Sequence, residues 1–272
     1  MDQPGPQPEG VSPKWILNGF PKAGLHLLGS YLMPIARPQP EPGGYVGHDW
    51  AGSFLDSSWT CNWDLIERTT YKLGRVIDGW FLRSHIGHLP DIERFLYLLG
   101  VAHVFVYRDL RDVAVSQAHH ILSDNEKLLH PGRELFEGWA FEDVLRAVIV
   151  GHEDYPGIVE RWALYEPWLH TDWVLCVRFE DLLAQRAEMA EAIWEYGLQR
   201  TVGIWGHTFE TKRADYEPVL QAMVDSSQNT AASPTFREGK TGGWRDVFTG
   251  AMCDLFRQHD PEGLLEAAGY RW

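Results

Sequence analysis

The residues best suited to chemistry lie in one short turn, Gly19-Phe20-Pro21-Lys22-Ala23-Gly24, set between the apolar run Trp15-Ile16-Leu17 and a second apolar segment that holds Leu25, His26, Leu27 and Leu28. The pattern reads as strand, tight turn, helix. The first turn of a helix offers backbone N–H groups without intrahelical partners and the positive end of a dipole, so it attracts an anion. Lys22 adds a point charge to the same place. Gly19 and Gly24 allow close backbone approach, and Pro21 fixes one φ angle. An ordinary strand-to-helix turn explains these residues equally well when they are taken alone. The ATP-type loop G-x-x-x-x-G-K-[ST] is excluded, because Lys22 precedes Gly24 and neither Ser nor Thr occurs between Lys22 and Gly29. The loop suits an anion and contains no hydroxyl to hold a metal.

Three more segments carry reactive side chains. In Val104-Phe-Val-Tyr-Arg-Asp-Leu-Arg-Asp-Val-Ala-Val-Ser116, Arg108 falls at the carboxyl end of an apolar run, the edge at which parallel sheets bind ligands. Asp109 or Asp112 can cap the helix that follows, and Ser116 stands one turn beyond Asp112, able to face an anion with Arg108. The plainer alternative pairs Arg108 with a carboxylate and leaves Ser116 incidental. Phe236-Arg-Glu-Gly-Lys-Thr-Gly-Gly-Trp-Arg-Asp-Val-Phe-Thr249 is a glycine-spaced basic loop with Arg237 as a forked donor; alone it reads as a solvated loop. Phe81-Leu-Arg-Ser-His-Ile-Gly-His-Leu-Pro90 places His85 and His88 after another apolar run, where a histidine can take a proton from a hydroxyl. His119 and His120 read as surface or helix-face residues, since metal binding needs a third ligand nearby.

Positioning these groups requires alternating strands and helices. Strands are expected at Trp15–Phe20, Val76–Leu82, Val101–Tyr107 and Trp173–Phe179, and helices at Gly24–Ile35, Asp64–Leu73, Pro90–Leu99, Asp112–Leu122, Ile158–Leu169, Asp181–Tyr196 and Trp244–His259. Such alternation predicts an α/β fold, a three-layer sandwich with a central parallel sheet covered on both faces. Arg37–Gly47 and Ser123–Glu137 read as loops. The 272 residues, 44% of them hydrophobic, suffice for one domain over 14–272, preceded by a disordered leader over 1–13. The Ser/Thr/Gly/Asn-rich segment 225–243 is expected to be a mobile lid.

The net charge of −14 argues against nonspecific nucleic-acid or anionic-membrane binding, so basic residues must act locally. No apolar run reaches the length of a membrane span. Three scattered cysteines (Cys61, Cys176, Cys253) form neither a disulfide framework nor a metal cluster and fit a reducing cytoplasm. Thirteen tryptophans supply the core, and a minority of them can line an aromatic acceptor pocket.

In this order, the motifs resemble the PAPS-dependent sulfotransferases, whose fold is a nucleotide-kinase-like α/β sandwich. Gly19–Gly24 resembles that family's 5′-phosphosulfate loop, Y-P-K-[SA]-G. Arg108 to Ser116 resembles its 3′-phosphate motif, R-[ND]-x-[KR]-D-x-x-x-S, and Arg237 to Arg245 its C-terminal loop, R-K-G-x-x-G-D-W-K. The resemblance spans residues 15 to about 255. It implies a sulfotransferase that moves the sulfuryl group of PAPS (3′-phosphoadenosine 5′-phosphosulfate) to a hydroxyl of a small molecule, releasing PAP without a metal. It further implies cofactor contacts from Gly19, Phe20, Pro21, Lys22, Ala23, Gly24, Leu25, His26, Leu27, Arg108, Ser116, Arg237, Glu238 and Gly239, with Phe209 flanking adenine. Lys22 would offset charge on the leaving group. His85, the nearer histidine to the strand end in a segment similar to [KR]-[ST]-H-x-P, would be the base, with His88 as the alternative.

The chain departs from the family pattern at Leu25, His26 and Leu27, where Thr-Thr-Trp is usual, and at Glu238, where a basic residue is usual. Lys-Ala-Gly-x-His is similar to the loop of bacterial sulfotransferases that modify glycopeptide antibiotics. A noncatalytic PAP-binding protein on the same fold and a P-loop kinase are the competing readings. Aromatic richness favours a phenolic or hydrophobic acceptor. Arg245-x-x-x-Thr249 partly resembles the family's dimer motif, so monomer and homodimer both stay open.

Overall fold

The computed structural model describes residues 13–38, 45–46, 67, 70–123, 130, 132–153, 155–205, 213–228 and 239–272. Residues 1–12 of the expected leader, half of the expected helix over Asp64–Leu73, and Phe209, Arg237 and Glu238 lie outside the described residues.

A six-stranded parallel sheet organises the chain. Strand β1 (Trp15–Gly19) is central, flanked by β4 (Trp80–Ser84) on one side and β5 (Ala102–Tyr107) on the other. Beyond β4 lie two short pieces, β2 (Arg37–Pro38) and β3 (Tyr45–Val46), and beyond β5 lies β8 (Leu175–Arg178). Each pleat sends alternate side chains to opposite faces. Ile16, Leu82 and Phe105 enter one core layer, while Trp15, Leu17, Val104 and Val106 enter the other. Helices α2 (Pro90–Leu98), α3 (Leu110–Ile121), α4 (Phe141–Val150) and α5 (Ile158–Ala163) contribute buried residues to the first layer. Helices α1 (Leu25–Leu32), α7 (Arg186–Trp205) and α8 (Arg213–Gln228) contribute to the second. This is the three-layer α/β sandwich that the pattern predicts.

Element ends differ from the sequence expectation for local reasons. The strand expected from Val76 begins at Trp80, because Gly79 at φ 78° closes a turn in which the Trp80 N–H donates to the Ile77 carbonyl. The helix expected over Ile158–Leu169 stops at Ala163 and resumes as a 3₁₀ turn (Glu166–His170), since Pro167 has no N–H to continue it. Trp173–Phe179 ends as a strand at Arg178, where α6 (Phe179–Ala184) starts. Trp244–His259 splits into a 3₁₀ turn (Gly243–Asp246) and α9 (Gly250–Gln258), whose first turn is capped by Thr249 Oγ1, accepting from Met252 N at 3.2 Å. Helices α4 and α8 have no counterpart in the expectation. Residues 225–228 of the expected lid are the last turn of α8, and 229–238 lie outside the described residues. A short antiparallel hairpin, β6 (Gly151–His152) with β7 (Tyr155–Pro156), precedes α5.

Candidate functional site

The sheet order places β1 at a topological switch point, where ligands bind beyond the carboxyl ends of parallel strands. Register then determines what gathers there. Asn18 pairs with Ser84, so His85 emerges beside Gly19; Gly19 pairs with Val106, so Arg108 emerges two residues further on the opposite side. The 19–24 loop therefore lies between the histidine segment and the arginine.

Close contacts explain the glycines. A Cβ on Gly19 would meet Val106 Cγ1 at 2.6 Å. Gly24 has φ 107°, and its Cβ would meet Phe179 Cδ2 at 2.3 Å. Gly24 is also the N-cap of α1 and supplies no side-chain cap, so the N–H groups of the first turn face the loop. Lys22 adopts φ 68°, a left-handed conformation that non-glycine residues rarely take. Its charge acts on His26, His85 and His130, lowering the pKa of each.

On the β4 side, His85 Nδ1–H donates to the Gly19 carbonyl at 2.6 Å, which leaves Nε2 as the basic nitrogen. Burial lowers the pKa of His85 to about 4; the Gly19 hydrogen bond opposes this, while Lys22 and Arg83 reinforce it. The segment is clamped from several directions. Asn18 Oδ1 accepts from Ile86 N at 2.8 Å, Asn18 Nδ2 donates to the Ile86 carbonyl at 2.9 Å, and Tyr165 Oη donates to the His85 carbonyl at 3.3 Å. His88 is differently placed, with Nε2 bound to Glu93 at 2.6 Å and its ring edge-on to Trp168. His26 accepts at Nδ1 from Arg83 Nη1 at 3.0 Å, so its proton sits on Nε2. Burial, then Arg83, His85 and Lys22, bring the His26 pKa to about 4. Leu27 is 6% exposed and packs in the core, as does Leu25, so the usual site of the adenine-stacking aromatic is filled by a core side chain.

On the β5 side, Arg108 lies over the Phe179 ring at 4.3 Å and donates through Nη2 to the Lys240 carbonyl at 2.8 Å. Phe179 thus packs between Gly24 and Arg108. Arg108 has a carboxylate neighbour, Asp112, but at 3.8 Å. The Asp112 oxygens are bound to Gly242 N at 2.7 Å and Trp244 N at 2.8 Å, which fixes the C-terminal glycine loop against the start of α3. Asp109 caps α3 by accepting from Arg111 N at 3.0 Å and is held by Arg111 through two side-chain bonds. Ser116 follows Asp112 by one turn on the same helix face and is half-buried. Gly239 is at φ 60° beside Lys240, whose Nζ binds Asp246. The described parts of the three motifs therefore meet at one sheet edge.

Sequence reasoning missed Asn18, Phe179 and the loop-fixing role of Asp112. A polar Asn18 inside an apolar strand was the available signal for the first. Phe179 and Asp112 carried none, because their partners are distant in sequence.

Comparison with known families now decides the matter: residues 95–262 match the Sulfotransferase domain. The chain belongs to that family. Among solved structures, this sulfotransferase is similar to mouse sulfotransferase SULT7A1 complexed with PAP (TM-score 0.57, 16% identity, covering 94% of this chain and 88% of that one). It is also similar to retinol dehydratase in complex with androsterone and the inactive cofactor PAP (TM-score 0.56, 16% identity, covering 97% and 84%). At these identities, the likeness is one of fold. No curated protein matches significantly. Among the described residues of this sulfotransferase, no helix is long and apolar enough to cross a membrane, and no group of His, Cys, Asp or Glu is placed to hold a metal ion.

Four histidines tie the sulfotransferase's stability to pH. The pKa values of His26 and His85 lie at about 4, and those of His103 and His130 at about 3, in each case chiefly through burial. The unfolded chain binds these protons near 6.5, so the stabilisation is full above 6.5 and is lost as pH falls toward 4 and 3. Each histidine withdraws about 1.4 kcal/mol per pH unit within that window. Melting scans between pH 7 and 4 should therefore show a steep fall in Tm. His103, packed edge-on against Trp168 at 4.6 Å with no hydrogen-bond partner on either nitrogen among the described residues, should flatten the slope when replaced by Phe. An unchanged slope in His103→Phe would remove that residue from the account.

Proposed function

We propose that this sulfotransferase moves the sulfuryl group of PAPS to a hydroxyl of a small-molecule acceptor, with His85 as the base. One observation carries the reading: His85 Nδ1–H donates to the carbonyl of Gly19, the residue that opens the anion loop, so base and anion cradle are joined by one hydrogen bond. The residues fit the cofactor. The α1 N-terminus carries no side-chain cap, and buried Nε atoms of Arg83 and Arg108 have no hydrogen-bond partner among the described residues. Lys22, the N–H groups of residues 24–27 and His26 Nε2–H would hold the 5′ end, with His26 replacing the family's hydroxyl. Arg108, Ser116 and Gly239 would hold the 3′-phosphate, and Arg237 and Phe209 join them by resemblance.

When bound, PAPS supplies an electrophilic sulfuryl group on a phosphate leaving group. His85 takes the acceptor's hydroxyl proton at Nε2, and Gly19 keeps the imidazole in the required tautomer. Lys22 and the first-turn N–H groups hold negative charge at the loop, an electrostatic contribution typically worth a few kcal/mol per donor. His88 is disfavoured as the base because Glu93 occupies its Nε2. The free Cys176 and Cys253 accord with a cytoplasmic setting.

Thermal shift and turnover test the reading. PAP without metal should raise Tm by several degrees at saturation, whereas ATP with Mg²⁺ should not. Labelled PAPS should be consumed only in the presence of a hydroxyl acceptor from a phenolic panel. Stabilisation by ATP-Mg²⁺ alone would point to phosphoryl transfer, and PAP binding without PAPS consumption would point to a noncatalytic protein.

A further inference from the structure

Arg161, on α5, is 1% exposed, and none of its Nε, Nη1 and Nη2 atoms has a hydrogen-bond partner among the described residues. A guanidinium stays charged in any protein and carries five N–H donors. Burying it without an acceptor is among the costliest arrangements a fold can hold. Its neighbours are two ring faces, Tyr155 at 4.9 Å and Phe20 at 5.6 Å. Cation–π attraction offsets part of the lost hydration and leaves the in-plane donors unmet. The Tyr155 hydroxyl accepts from Gln117 Nε2 at 3.0 Å and lies near the guanidinium.

Its location indicates which acceptor is missing. Phe20 is the loop residue two before Lys22, and its ring meets Tyr165 edge-on at 5.2 Å. Tyr165 in turn donates to the His85 carbonyl. Lys22 and Arg161 both act on His130, so the two cations border one region. Phe20 belongs to the first core layer and Phe179, under Arg108, to the second. Arg161 therefore stands on the face of the sheet opposite the Arg108 subsite, linked to the His85 segment through the rings of Phe20 and Tyr165.

We propose that Arg161 is a specificity-determining residue that takes the carboxylate of a compact aromatic hydroxy acid while the acid's hydroxyl lies at His85. The proposal rests on the assignment of His85 and the 19–24 loop as the transfer site. The planar fork matches a planar carboxylate bidentately, and the flanking rings suit an aromatic body. Recognition of this kind makes a neutral analogue poor, because it leaves the buried cation unpaired.

Matched pairs test it: 3- and 4-hydroxyphenylpropionate against their methyl esters, each with labelled PAPS. Wild type should prefer the acids in kcat/KM, and Arg161→Gln should cut that preference at least ~30-fold, mainly through KM, with Arg161→Lys retaining part of it. In the presence of PAP, the acids should raise the Tm of wild type but not of Arg161→Gln. Arg161→Met should melt no lower than wild type without ligand, since the guanidinium has no hydrogen-bond partner among the described residues. Equal losses for acid and ester, a wild-type preference for the esters, or no stabilisation by any of the acids would overturn the proposal. Failure of PAP itself to stabilise wild type would instead overturn the transfer site on which it rests.

Discussion

Lys22→Gly is expected to lower turnover at least ~100-fold while leaving Tm unchanged or higher. The two effects have separate origins. Lys22 sits at φ 68°, where an L-residue loses about 1–2 kcal/mol and glycine does not. Glycine's extra freedom in the unfolded chain costs back about 0.5–1 kcal/mol, so the fold gains slightly or breaks even. The charge is another matter. Lys22 belongs to the loop that ends in the open N–H groups of α1, and its field depresses the pKa of His26, His85 and His130. Removing it should weaken PAP binding, reduce kcat and move those titrations upward. Lys22→Ala should show the same loss of turnover without the relief of strain, and thus a lower Tm than Lys22→Gly. Turnover within tenfold of wild type in both variants would mean that the loop's lysine does not act on the transferred group. Loss of Tm in Lys22→Gly would mean that the left-handed conformation is held by contacts of the lysine side chain.

What could be read from the sequence was whatever depends on neighbours along the chain. Gly19 and Gly24 bounding a lysine, Arg108 at the end of an apolar run, and His85 after another run each declare a strand end, and the parallel sheet follows from their alternation with helices. How those ends meet depends on strand order, which periodicity does not encode. Once β1 lies between β4 and β5, the three loops converge without further assumption. Contacts between distant segments stayed hidden for the same reason. Asp112 looked like a helix cap, yet its carboxylate binds the backbone of Gly242 and Trp244, while Asp109 does the capping. Phe179 looked like the end of a strand, yet its ring separates Gly24 from Arg108. Leu27 looked like a lost aromatic contact and is a core residue instead, because the α1 face that carries it turns toward the sheet. The burial of Arg161 was equally invisible, since an Arg between Glu160 and Trp162 reads as a solvated helix position.

His85→Ala should reduce sulfuryl transfer at least ~1,000-fold, within the range that a positioned general base contributes, while PAP continues to raise Tm. The Gly19 carbonyl places the proton on Nδ1 and the lone pair on Nε2, so no other tautomer competes for the role. The pH profile provides the sharper check. With a pKa of about 4 in the free protein, His85 is neutral and able to accept a proton at all higher values. Activity that depends on it is therefore present above that pKa and lost as pH falls through about 4. The acid limb of kcat/KM for PAPS, which reports the free enzyme, should appear there. An anion held at the loop opposes the effects of Lys22 and Arg83 and favours the imidazolium, raising the pKa toward neutrality. The acid limb of kcat, which reports the loaded enzyme, should thus lie at a higher pH than that of kcat/KM. Lys22→Gly removes one of the two cations and should shift the kcat/KM limb upward by itself. Coincident limbs in wild type, or a profile unaltered by Lys22→Gly, would separate the acid limb from His85. Near-normal turnover in His85→Ala, together with its loss in His88→Ala, would move the base to His88 despite the Glu93 contact.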